Sequence, residues 1–127
     1  MADALPLVKG TLDVLVLKAL SWTPMHGFEI TVWLEQRSGG LLGVQDSALY
    51  QALHRMEERG LVSAEWGTTP NNRRARYYRV TEAGRQQLAE ERRQWHTVDQ
   101  ALRNIWSAMV VSGATLNLIL FPQRGRA

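Results

Sequence analysis

No cysteine occurs in the 127 residues, which excludes disulfides and thiolate metal sites and fits a reducing cytosol. Lysine is almost missing as well: Lys9 and Lys18 aside, every basic residue is an arginine, and the formal net charge is only +3. An excess this small acts through where it clusters rather than through its size. The N-terminus lacks a charged region followed by an apolar run and a small-residue cleavage site, so no signal peptide is expected and a cytoplasmic location is. A membrane span needs ~20 apolar residues. The uncharged stretch from Ile105 to Phe121 is shorter and carries Ser107, Ser112, Gly113, Thr115 and Asn117, so no span is expected there.

Chemistry is missing in the same way. There is no nucleophile elbow, no phosphate-cradling Gly-rich turn, and no pair of acids in a Gly-bounded loop. Glu57-Glu58 and Glu90-Glu91 read as helix-surface charges, and His26, His54 and His96 lie in three separate segments without ligand partners at useful spacing. The expectation is a protein that is not an enzyme, with no metal and no cofactor. The length suits one domain with a modest core.

What is present is concentrated between Asp46 and Gly84. Leu49, Ala52, Leu53 and Met56 recur at helical spacing, while Tyr50, Gln51, His54, Arg55 and Glu58 fall on the opposite side, so one face packs and the other is free to read. Asp46 or Ser47 is a fitting N-cap, and Gly60 suits the left-handed conformation that ends a helix. Leu61 to Trp66 and Arg76 to Val80 then read as antiparallel strands. The turn between them, Gly67 to Arg74, contains Pro70, Asn71 and Asn72. Arg73, Arg74, Arg76 and Arg79 crowd the tip and the returning strand with no acid among them, an arrangement suited to a polyanion. A helix with a polar outer face followed by a basic hairpin is the layout of a winged helix-turn-helix, the helix in the major groove and the wing on the backbone or minor groove of double-stranded DNA.

Several short motifs in fixed order carry a family resemblance. Ser47-Ala48-Leu49-Tyr50, Ala52-Leu53-His54-Arg55-Met56-Glu57, Gly60-Leu61, Trp66, Tyr77-Tyr78 and Thr81-Glu82-Ala83-Gly84, with Gly10-Thr11-Leu12-Asp13 and His26-Gly27 upstream, resemble the signature of PadR-type bacterial transcriptional regulators. The resemblance covers roughly residues 5 to 106. Gln51 stands where that family usually has proline, and the chain continues past Trp106 beyond the pattern. The resemblance implies a DNA-binding regulator that represses, a backbone contact by Tyr50, and dimerisation through the C-terminal helix. From residue chemistry, Ser47, Tyr50, Gln51, His54, Arg55, Arg73, Arg74 and Arg76 are the candidate DNA-binding set; glutamine and arginine offer paired groups to base edges, and arginine offers a fork to phosphate.

Elsewhere, Leu12, Leu15, Val16, Ala19 and Leu20 form one apolar stripe from Gly10 onward, and Val14 and Leu17 add a second. Ser21 to Met25 breaks that helix. His26-Gly27 opens the next, with Ile30, Trp33 and Leu34 inward and Gly39-Gly40 as its stop. Leu41 to Val44 is expected as the short extended piece that pads the sheet. Thr81 caps a last long helix in which Leu88, Trp95, Leu102 and Met109 repeat every seven residues, with Val98 and Ile105 between them and Glu91 interrupting the second row. That is the seam of a homodimer, with Leu88, Trp95, Val98, Leu102 and Ile105 at the interface. The resemblance adds a second role for Trp95, stacking a small planar aromatic effector between subunits, against the plainer role of filling the seam.

The fold class expected is mainly α with a small β-hairpin wing. Residues 1–81 form the winged helix, 82–111 the dimerisation helix, and 112–127 an apolar tail. The function expected is a sequence-specific regulator, a repressor acting as a homodimer on a pseudo-palindromic operator. The alternative is a winged-helix interaction module that docks a partner or membrane surface through its apolar tail.

Overall fold

Helix α1, Thr11–Trp22, sits where the two apolar stripes predict a centre: Val16, Leu17, Ala19 and Leu20 are each at most 2% exposed, and Leu12 is also buried. The computed structural model of the protein describes residues 10–109. The N-terminal arm before Gly10 and the apolar tail 112–127 lie outside the described residues. After α1 come strand β1, Met25–His26, helix α2, Gly27–Arg37, helix α3, Asp46–Glu58, strands β2, Val62–Thr68, and β3, Arg74–Val80, and helix α4, Glu82–Met109. The chain divides into two units, one ending at Glu91 and the other beginning at Arg92, so that α4 contributes to both.

In the first unit, α1, α2 and α3 converge on a sheet of order β1-β3-β2. Ile30 and Leu34 of α2, the four predicted positions of α3, Leu61, and Val62, Tyr78 and Val80 of the sheet close one core. Leu49, Leu53 and Met56 are fully buried, and each such side chain stabilises the fold by ~1.5–3 kcal/mol relative to exposure. Leu88, at the start of α4, is partly buried against the same core.

Two expectations about where elements begin or lie need correction. The third strand is Met25–His26, which pairs with Tyr77 and Tyr78 of β3, and not the Leu41 to Val44 stretch, where Leu42 alone forms an isolated bridge. The residues expected only to break α1 and open α2 therefore do double duty: His26 pairs in the sheet and also caps α2, its Nδ1 accepting from the Glu29 amide while the Glu29 carboxylate accepts from the His26 amide. Histidine carries no propensity signal for either task, which hid the strand. The N-cap of α3 is Gln45, without a side-chain cap, rather than Asp46 or Ser47. Asp46 instead lies in the first turn, where its charge suits the positive helix end.

The other end of α3 follows its sequence. Gly60 has φ +74°, the Leu61 amide donates to the Met56 carbonyl at 2.8 Å, and the Gly60 amide donates to that of Glu57 at 3.0 Å, a Schellman ending. Thr81 joins this corner to α4. Its hydroxyl accepts from the Gly84 amide at 3.0 Å and lies 2.7 Å from the Gly60 carbonyl and 3.0 Å from the Leu61 carbonyl, to which it donates. A Cβ at Gly84 would run into the Leu61 carbonyl oxygen and lie 2.7 Å from Val80 Cγ2, so the Thr-Glu-Ala-Gly sequence is what lets α4 start against the end of α3.

Candidate nucleic-acid interface

The outward face of α3 is built by the burial of its inward face. With Leu49, Ala52, Leu53 and Met56 in the core, Ser47, Tyr50, Gln51 and His54 are exposed, Tyr50 at 52%. Tyr50 is nonetheless placed: its ring and hydroxyl lie across Gly27, where an added Cβ would meet the phenol oxygen at 2.6 Å. Only a glycine at the start of α2 admits the tyrosine in that position. His54 reaches Glu58 at 3.6 Å on the open surface, a loose pair of little energetic weight.

Arg55 is drawn away from the other candidate residues. Its guanidinium donates to Asp13 of α1 at 2.8 Å, with the aspartate largely covered, so it ties α3 to α1. Arg76 is similarly engaged, donating to Glu57 of α3 at 2.7 Å. The hairpin arginines therefore do have acids at hand, which the linear sequence conceals: Glu57 arrives from α3, and Glu65 lies on the neighbouring strand, 3.9 Å from Arg79. That exposed pair is weak. Among the described residues Arg73 and Arg74 alone of the four hairpin arginines have no carboxylate partner.

The hairpin is longer than expected and its turn shorter. β2 extends to Thr68 and β3 starts at Arg74, leaving Thr69 to Arg73 as the loop. The Asn72 amide donates to the Thr69 carbonyl and the Thr69 amide to that of Arg73, both at 2.8 Å, and Asn72 takes the left-handed conformation with φ +61°. Pro70 and Asn72 supply what such a turn requires. Arg73 and Arg74 are thus held at the tip by a closed loop.

Strand register sorts the hairpin into two faces. Val62, Ala64, Trp66 and Thr68 are opposite Val80, Tyr78, Arg76 and Arg74, and opposite residues share a face. This face begins in the core at Val62 and Val80 and runs out to Trp66, which is 59% exposed, and the arginines. Along it Arg76 sits 5.9 Å from the Tyr78 ring centroid and Arg74 4.3 Å from that of Trp66. Burial pushes the Tyr78 phenol above its ordinary pKa, with the nearby Arg76 charge acting in the opposite sense. The other face carries Tyr77, whose ring lies over Gly67 and meets His26 edge-on at 5.3 Å. Trp66 escaped the candidate set because the parity of its strand fixes only its face, and not that it lies opposite Arg76. The missing signal was register.

In the second unit, the part of α4 beyond Arg92 leaves Trp95, Val98, Leu102 and Ile105 between 43% and 55% exposed, with Trp106 at 66%. Heptad spacing aligns the first four along one stripe, and Trp106, four residues after Leu102, widens it. The polar side is knitted by Arg103 to Asp99 at 2.9 Å and Gln100 to Asn104 at 3.1 Å.

A family model described as the transcriptional regulator PadR-like family matches residues 16–90. Among solved structures, a PadR family transcriptional regulator from Eggerthella lenta is 28% identical, with 77% of this chain and 83% of that one covered and a TM-score of 0.65. A PadR-like transcription factor from Bacteroides fragilis is 26% identical over 76% of this chain and 91% of that one, with a TM-score of 0.63. A Streptococcus mutans protein at 21% identity shares the fold with a TM-score of 0.71, covering 85% and 97%.

Proposed function

The chain belongs to the PadR-like family of transcriptional regulators, and from that premise we propose that it is a homodimeric repressor whose two α3 helices read a pseudo-palindromic operator. Its work is therefore DNA-binding regulation rather than catalysis. The observation that carries the reading is the pairing of an open face of α3, Ser47, Tyr50, Gln51 and His54, with a hairpin tip whose Arg73 and Arg74 have no carboxylate partner among the described residues. Two uncompensated arginines held by a closed turn suit phosphate oxygens, which position a protein on a duplex while side chains on the helix reach base edges.

One reading helix covers too few base pairs for useful selectivity; two related by a twofold axis read half-sites about one helical turn apart. The stripe of Trp95, Val98, Leu102 and Ile105 supports self-association, because exposed apolar residues at heptad spacing are covered most simply by the same stripe of a second copy. Trp95 and Trp106 in that stripe support the placing of a planar aromatic effector there, which would bind one spacing of the two readers better than another. Repression by occupying promoter DNA, in the cytoplasm, completes the proposal. Arg55 and Arg76, being engaged with Asp13 and Glu57, have a supporting part in it and not a leading one.

The deciding measurement is the salt dependence of binding to duplex DNA. Neutralising a phosphate contributes ~0.9 to the slope of log affinity against log salt. Replacing Arg73 and Arg74 together by alanine is expected to weaken binding to every sequence and to flatten that slope by up to ~2. An unaltered slope removes the wing from the interface.

A further inference from the structure

The four arginines of the hairpin are held in three different ways. Arg76 and Arg79 face carboxylates, Arg73 faces nothing charged among the described residues, and Arg74 lies over the ring of Trp66 at 4.3 Å. The difference is chemical. A close carboxylate partner, such as Glu57 at 2.7 Å from Arg76, fixes a guanidinium and offsets its charge together, so that arginine is ordered but has less to offer a phosphate, whereas the exposed Glu65 at 3.9 Å does little of either for Arg79. An indole face attracts the cation through its quadrupole, well within the ~6 Å over which that attraction acts, and leaves the full charge in place. It also takes no N–H donor of the guanidinium as a conventional hydrogen bond, so the fork keeps its donors for two oxygens at once.

We propose that Trp66 is a positioning residue for DNA binding, holding the Arg74 guanidinium as a preorganised, still-charged fork for a backbone phosphate. The proposal rests on the reading of the hairpin as a DNA-binding wing and deepens it by assigning the order of its tip. Three features of the hairpin support the assignment. The register puts Trp66 opposite Arg76 and Thr68 opposite Arg74, so the indole is the diagonal neighbour of Arg74 on the same face, within reach of a long side chain. Trp66 is 59% exposed and belongs to the outer part of that face, beyond the buried Val62 and Val80, so core packing does not explain an indole there. The neighbouring Arg76 is withdrawn by Glu57 at 2.7 Å, so the ring is left to Arg74. Immobilising a flexible side chain before binding removes part of the ordering entropy that binding otherwise requires.

A double-mutant cycle on the full chain tests this, with a fluorescently labelled mixed-sequence duplex as the probe at low salt. Trp66→Ala is expected to weaken binding by about two- to five-fold, the range of an exposed cation–π contact. In the Arg74→Ala background the same substitution is expected to change affinity by less than ~1.5-fold, because the group it positions is gone. Trp66→Phe, which keeps an aromatic face, restores most of the loss and also serves as the readout should the alanine variant fold poorly. Equal losses in both backgrounds, which would mean that the indole touches DNA or merely braces the hairpin, overturn the proposal, as does no loss in either. If the unsubstituted chain shows no salt-dependent duplex binding, the DNA-binding reading of the wing falls and this proposal with it; if it binds and the cycle is additive, the proposal alone falls.

Discussion

Helices α3 and α4 are both amphipathic, and they use that pattern in opposite ways. In α3 every apolar position of the stripe is in the core, Leu49, Ala52, Leu53 and Met56 all at 0% exposure, and the polar face is the one left open. In α4 the first seam position, Leu88, packs partly against the core, whereas from Trp95 onward the apolar stripe is open. The same periodicity thus completes a fold in one helix and leaves a sticky surface in the other. Sequence spacing identifies an apolar face but not what covers it, because that depends on which elements the chain brings opposite.

The largest effect expected on the α3 side is from Leu53→Ala, which opens a cavity in a fully packed core and should lower unfolding free energy by ~2–5 kcal/mol in a denaturant titration. A loss no larger than that of a surface substitution would mean that α3 is not committed to the core, and the contrast with α4 would dissolve. Next is the joint between the two helices. Gly84→Ala forces a methyl into the Leu61 carbonyl and Val80, and should destabilise by ~1–3 kcal/mol, seen as a lowered thermal midpoint. A tolerated alanine would show that the start of α4 is free to shift away from the end of α3.

On the α4 side Leu102→Ala sharpens the comparison, since Leu102 is 51% exposed in the single chain. For a monomer the change in stability should stay within ~0.5 kcal/mol at any protein concentration. If the stripe is covered by a second copy, the thermal midpoint of the unsubstituted protein instead rises with concentration and the variant loses that rise. Concentration-independent melting of both proteins, with a monomer mass in sedimentation, would remove the dimer from the proposed function.

Much of this was legible in advance for an identifiable reason. Helix α3 was readable because its inward residues are large, apolar and regularly spaced, and because Gly60 marks its end with a conformation few other residues adopt. Strand β1 was not, since two residues carry no periodicity and Met25 and His26 no strand preference; only the pairing with Tyr77 and Tyr78 defines it. In the candidate interface, exposure of Ser47, Tyr50, Gln51 and His54 followed from the helical pattern. The division of the arginines did not. Asp13 is 42 positions from Arg55 and Glu57 is 19 from Arg76, and long-range ion pairs leave no mark in local sequence. A cluster that looks uniformly free along the chain proves, once folded, to be half engaged.

The smallest effect expected concerns the seam between α3 and the hairpin, where Tyr78 is buried beside Arg76 and Glu57. Burial raises the phenol above its ordinary pKa, because ionising it would place a charge in a poorly hydrated site. With the folded-state value above the unfolded one, the folded state holds the proton more tightly. This contribution to stability is therefore complete below the unfolded value near pH 10 and is lost as pH rises through the folded value. Tyr78→Phe cannot ionise, so its stability should decline less steeply on the alkaline side than that of the unsubstituted protein, while near neutral pH it shows only the loss of the hydroxyl's interactions. Parallel alkaline limbs for the two proteins would mean that Tyr78 is as well solvated in the fold as in the unfolded chain, and that the packing of α3 on the hairpin is looser than its buried neighbours imply.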